Sequence, residues 1–191
     1  MKRRWIALKL AIIPSHSNII KLTEFNPKGF EDFVWRKLFS KSLSPSSFES
    51  VTSRQMQVIR IPWGVLHMAG LWTKRFFGIS QYPRISTPEI DIFIAQTPYP
   101  GELINNTKLV VRYHDAVPIF LPHTIGNMDK HQANHYEALR SNVANGAYFA
   151  CVSESSRKDL LRIFPEAECR AVTIENIASH HYFIESSNAD Y

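Results

Sequence analysis

From residue 91 onward, short apolar runs that end in polar residues alternate with longer stretches that are polar on one side. DIFIAQ (91–96), KLVVRYHD (108–115), AYFACVSES (147–155) and RAVTIEN (170–176) are the four runs. Between them, residues 127–145 bring Met128, His135, Leu139 and Val143 onto roughly one helical face, and SSRKDLLRIF (155–164) predicts a second helix. Short, wholly apolar strands separated by helices predict a parallel sheet. The class is therefore α/β, a Rossmann-like parallel sheet with helices on both faces. The tight point is 97–107, which barely reaches the dozen or so residues a parallel crossover needs. Either that link is unusually short or the strands it joins are not neighbours.

Residues 1–90 read as an earlier part of the same domain, with a weaker pattern. LKLAII (8–13) predicts a buried strand ending at Pro14, and FEDFVWRKLF (30–39) has helical spacing, with Phe30, Phe33, Val34, Lys37 and Leu38 on or near one face. SKSLSPSSFESVTS (40–53) is Ser-rich and loop-like, and VIRIPW (58–63) predicts a short strand. GVLHMAGLWTKRFFG (64–78) predicts an amphipathic helix ending at Gly78, and QYPRISTPE (81–89), with two prolines, a connector. The basic, then apolar start MKRRWIALKLAIIPSHS has something of a signal peptide, but Lys9 interrupts it and no small-x-small site follows. A strand is the better reading. No window approaches the roughly 18 uninterrupted apolar residues of a membrane-spanning helix.

Composition narrows the class without naming a chemistry. A chain of 191 residues, 45% hydrophobic and 12% aromatic, can bury an ordinary core and is not compositionally disordered. Its net charge of +5 suits anionic partners, or marks no more than a mildly basic surface. Cys151 and Cys169 both sit in apolar runs and form no CxxC, so they read as small buried residues of a reducing compartment.

In parallel α/β sheets, ligands bind beyond the carboxyl ends of the strands. There the chain places Gln96 and Thr97, His114 and Asp115, Ser153 and Glu154, and Glu175 and Asn176. An imidazole at such an edge can donate to a sugar hydroxyl or move a proton. Asp115 can do chemistry beside it or simply cap a turn. Ser156 and Asp159 fit a loose capping box, so Ser153 to Ser156 mark a strand-to-helix turn whose N–H groups either hold an anion or are merely capped. GxSxG is absent, and none of the seven glycines are spaced as GxGxxG or a phosphate loop. His131 and His135 stand one helical turn apart in HQANH, with Gln132 where a zincin carries glutamate. A half-exposed helix face is preferred there and no metal is expected. Lys and Arg are scattered, so no nucleic acid partner is expected.

The ordered set KLVVRYHDAVPIFLPHTI, GAYFACVSESSRKDLLRIFP and RAVTIENIAS resembles the N-terminal domain of group 1 glycosyltransferases of the GT-B fold over about residues 91–180. The resemblance implies two Rossmann-like domains facing a cleft, the N-terminal one holding the acceptor and the C-terminal one a nucleotide-sugar. It places His114 near the transferred sugar, with Asp115 beside it, and Gln96, Thr97, Ser153, Glu154 and Asn176 along the same edge. It implies no metal and no cofactor, the nucleotide-sugar being the donor substrate. A C-terminal donor-binding domain with its acidic motif and basic pair has no counterpart here, and ENIAS lacks the usual glycine. The chain thus reads as an incomplete N-terminal half of a GT-B fold.

Two readings follow. One is a fragment of a glycosyltransferase of polysaccharide biosynthesis that acts on a glycan or lipid-linked acceptor. It would be cytoplasmic, peripheral to the inner face of the membrane, and completed by a separately encoded C-terminal half. The other is a non-catalytic remnant or binding module that keeps the acceptor-side fold. In both, an incomplete sheet exposes an edge and apolar faces and predicts self-association.

Overall fold

The computed structural model describes residues 19–126 and 128–176, leaving aside the side chains of Trp63 and residues 128–130; the strand expected at 8–13 lies outside these. In chain order the elements are β1 (Ile20–Lys21), β2 (Thr23–Phe25), α1 (Glu31–Val34), α2 (Phe48–Thr52), β3 (Met56–Val58), α3 (Trp63–Phe77), β4 (Arg84–Ser86), β5 (Ile92–Ala95), β6 (Glu102–Ile104), β7 (Lys108–Tyr113), α4 (Val117–Phe120), α5 (Met128–Ala144), β8 (Tyr148–Cys151), α6 (Glu154–Ile163) and β9 (Ala171–Thr173). They fall into two compact units, residues 23–58 with Asn176 in one, and residues 19–22 with 59–175 in the other.

The larger unit is α/β, with parallel sheets flanked by helices. Its main sheet has the order β5-β7-β8-β9, every neighbour parallel. These are the four apolar runs of the sequence. Alternation along each strand decides the core. Val111 and Tyr113, Phe149 and Cys151, and Ala171 all point to one face, where Leu139 and Val143 of α5 and Leu160 of α6 join them in one buried cluster. Every one of these side chains is buried. Because the strands advance in one direction through the sheet, right-handed crossovers place α5 and α6 on the same face.

The short link is resolved in favour of tightness. β5 and β7 are direct neighbours, with Ile94 opposite Val110. The chain between them supplies β6 to a second parallel sheet, β1-β4-β6, instead of forming a helix. It then turns through Asn105 and Asn106, both left-handed (φ 71° and 63°). Asparagine tolerates that region better than most residues, and Asn105 Oδ1 also accepts from the Thr87 N–H at 3.1 Å. The half-buried hydroxyl of Thr107 donates to the Ile90 carbonyl at 2.6 Å.

Several local expectations shift. The strand placed at 58–63 is β3, which ends at Val58; Pro62, without an N–H, stands instead before α3. The helix expected at 64–78 is α3, closed by Gly78 at φ 76°, where a left-handed residue favours glycine. The connector 81–89 contains β4, and the serine-rich 40–53 contains α2. FEDFVWRKLF is a short α-helix continued by a π turn, Trp35–Phe39; it buries Val34, while Phe30, Phe33 and Leu38 are exposed. Cys151 is buried as expected but Cys169 is exposed, because it falls in the 3-10 turn Pro165–Arg170 and not in a strand; both are free thiols. No helix among the described residues is long and apolar enough to cross a membrane.

Candidate functional site

The carboxyl edge of the main sheet gathers most of the residues singled out from sequence. Gln96 and Thr97 follow β5 and are exposed, and His114 and Asp115 follow β7 and are exposed. Ser153 and Glu154 follow β8. Since β5, β7 and β8 are adjacent and parallel, these three pairs share one edge. Asn176 is exposed and belongs to the other compact unit.

Local bonds define what each residue can do. The Val117 N–H donates to Asp115 Oδ1 at 2.9 Å, so this carboxylate caps the short helix α4. The His114 carbonyl accepts from Ser156 Oγ at 2.7 Å, which ties the end of β7 to the start of α6 and leaves the imidazole outside that bond. Ser153 is the N-cap of α6, its Oγ accepting from the Ser156 N–H at 3.1 Å. The capping pair is thus Ser153 and Ser156 rather than Ser156 and Asp159: the helix begins one turn earlier than the acidic spacing suggests. Glu154 Oε2 accepts from Thr173 Oγ1 at 2.8 Å and Glu154 Oε1 from Arg157 Nη1 at 3.2 Å. The Thr173 bond, then Arg157, hold its carboxyl below the usual carboxylate range, burial opposing them.

Behind this edge lies a group that sequence reading missed as a group. His135 of α5 packs its ring 6.1 Å from Tyr113 at the end of β7. Burial holds His135 down to about 4, with Asp115 pulling the other way and His131 adding repulsion. Burial holds His67 of α3 at about 4 as well, helped by His131 and His135. Three histidines from two helices therefore feel one another, though only His131 and His135 are close in sequence. The signal was a histidine on the inner face of each of two amphipathic helices, which a search for metal spacing does not collect. Among the described residues no three His, Cys, Asp or Glu side chains come together to hold a metal ion. A second missed contact is Asn142, whose Nδ2 donates to the Tyr99 carbonyl and whose Oδ1 accepts from the Tyr99 N–H, both at 2.8 Å. It anchors the loop that carries Thr97 to α5.

No family model, no curated protein and no solved structure matches this chain. The edge must be read from its own chemistry. It offers an exposed imidazole, an exposed amide and an exposed threonine hydroxyl, with two carboxylates already engaged. That set suits hydrogen bonding to a polyhydroxylated ligand better than nucleophilic attack or metal chemistry.

Proposed function

We propose that the chain is the acceptor-side part of a sugar-transferring enzyme of polysaccharide biosynthesis, acting from a nucleotide-sugar onto a glycan or lipid-linked acceptor. One observation carries this reading: Gln96, Thr97, His114 and Glu154 lie at the carboxyl ends of three adjacent parallel strands. That is the edge where such sheets bind ligands. In this reading His114 donates to a sugar hydroxyl near the transferred group, and Gln96 and Thr97 fix the acceptor's orientation. The nucleotide-sugar is held by a second half that faces this edge. Peripheral attachment to a membrane is supported by exposed Phe76, Phe77 and Ile79 beside Arg75.

A non-catalytic binding module is the second reading. It is favoured by the engagement of Asp115 in capping α4, so that no ionised partner is fixed to the His114 ring among the described residues.

Saturation-transfer NMR with a panel of neutral and acidic oligosaccharides tests both. Binding that is lost in His114→Ala and weakened in Gln96→Ala supports the site; an unchanged spectrum in His114→Ala, or no binding across the panel, sinks it. Transfer from nucleotide-sugars in the presence of a donor half separates the enzyme from the binding module.

A further inference from the structure

At their amino ends the strands border a cavity separate from the carboxyl edge. It has a volume of about 290 Å³ and is lined from the starts of β6, β7 and β8 and from the turn that closes α5. That is near the lower end of ligand pockets, about 300 Å³, and leaves room for one small molecule. Lys108 opens β7 and His114 follows its last residue, so six steps of strand set the cavity about 20 Å from the His114 edge.

The lining holds polar groups that the fold leaves unused. Glu102 is half-buried and Lys108 exposed, and no ion pair joins either to the other or to any described residue. Of the two consecutive left-handed asparagines, Asn105 is engaged with Thr87. Asn106 lines the cavity, and its amide makes no hydrogen bond among the described residues. Asn145 reaches Ser141 Oγ through Nδ2 only at 3.4 Å. Leu103, Leu109 and the Tyr148 ring supply an apolar wall. The back is fixed by Asn142, buried and held by its two bonds to Tyr99.

An acid and a base that face one cavity without meeting can both be satisfied by a ligand that carries both charges. Such a ligand makes a charge-assisted hydrogen bond at each end. A ligand of a single sign would satisfy one group and be repelled by the other, and a neutral one would leave both charges uncompensated. We propose that this cavity binds a small zwitterion of the α-amino acid class, its ammonium on Glu102 and its carboxylate on Lys108. The flexible stem of Lys108 lets its ammonium adjust to the carboxylate. The amides of Asn106 and Asn145 serve the remaining polar atoms, and an apolar side chain lies against Leu103, Leu109 and Tyr148.

Titrations of the full chain with each proteinogenic L-amino acid, followed by saturation-transfer NMR, test it. The N-acetyl and methyl ester derivatives of any amino acid that binds, and glucose, are the probes that lack one or both charges. At least one amino acid with an apolar side chain should bind at millimolar concentration, and loss of either ligand charge should weaken it at least tenfold. Glu102→Gln and Lys108→Met should each do the same, with far-UV circular dichroism unchanged. Asn106→Gly is the variant to use should either of these fail to fold, because glycine takes the left-handed backbone without strain; it should weaken binding severalfold. Absence of binding by every amino acid overturns the proposal. So does binding that is unchanged by loss of a ligand charge or by these substitutions, or that glucose matches. The cavity and the His114 edge lie at opposite ends of the strands, so the outcome is independent of the sugar-transfer reading.

Discussion

His67 and His135 make the chain's stability depend on pH. Each has a folded-state value of about 4, below the unfolded value of about 6.5, so the unfolded chain takes up its proton first as pH falls. Their contribution is fully present above pH 6.5 and is lost as pH falls towards 4. A shift of that size corresponds to about 3 kcal/mol for one imidazole, a large part of the 5–15 kcal/mol by which a domain is typically stable. Urea midpoints measured from pH 7 to pH 4 should fall steeply, and His135→Gln should flatten the curve; a parallel curve in the variant would remove His135 from the account. Beside it, the Tyr113 hydroxyl is buried with no hydrogen-bond partner among the described residues. Tyr113→Phe removes an unsatisfied polar group without changing the packing of the ring. It should leave stability unchanged or raise it by about 1 kcal/mol, read as an equal or higher urea midpoint.

At the scale of elements, Asn142 and Gly70 hold helices to their neighbours. Asn142 is buried and satisfies both backbone groups of Tyr99. Asn142→Ala removes both side-chain bonds to the Tyr99 backbone from a buried position and should cost about 2–4 kcal/mol. Asn142→Asp should fare little better, because a carboxylate cannot donate to the Tyr99 carbonyl. Gly70 lets α3 approach Tyr82 so closely that a Cβ would run into its ring. Gly70→Ala should therefore lower the thermal midpoint, although alanine favours a helix. Sequence pattern exposes the elements that bury a whole face. β5, β7, β8, β9, α3, α5 and α6 were all legible because each carries a continuous apolar run or stripe. β4 and β6 were not, since three residues of strand show no period. The same holds at the site. Strand ends could be read from where apolar runs stop, so His114 and Gln96 could be placed. Which serine caps α6, and that Asp115 caps α4, depend on turn geometry that spacing alone leaves open.

For the whole molecule, burial is unevenly distributed, and this sets how it opens. In residues 23–58 only Val34 and Thr52 are buried among the described residues, and the antiparallel pair β2-β3 is three residues long. Phe25, Phe30, Phe33 and Leu38 of that unit are exposed, so little apolar area holds it closed. In the larger unit Val111, Tyr113, Phe149, Leu139 and Leu160 are at most 1% exposed and form one continuous cluster. Local opening free energies follow buried contact, from near zero to the global value. Native-state hydrogen exchange should therefore separate the two. Amides of β2, β3 and α2 should exchange through low-energy openings insensitive to dilute urea. Amides of Val111 and Phe149, in the two central strands of the main sheet, should exchange only with global unfolding and respond to urea with the full unfolding slope. A single common opening energy for residues 23–58 and for β7 and β8 would show that the buried cluster does not set the order of opening.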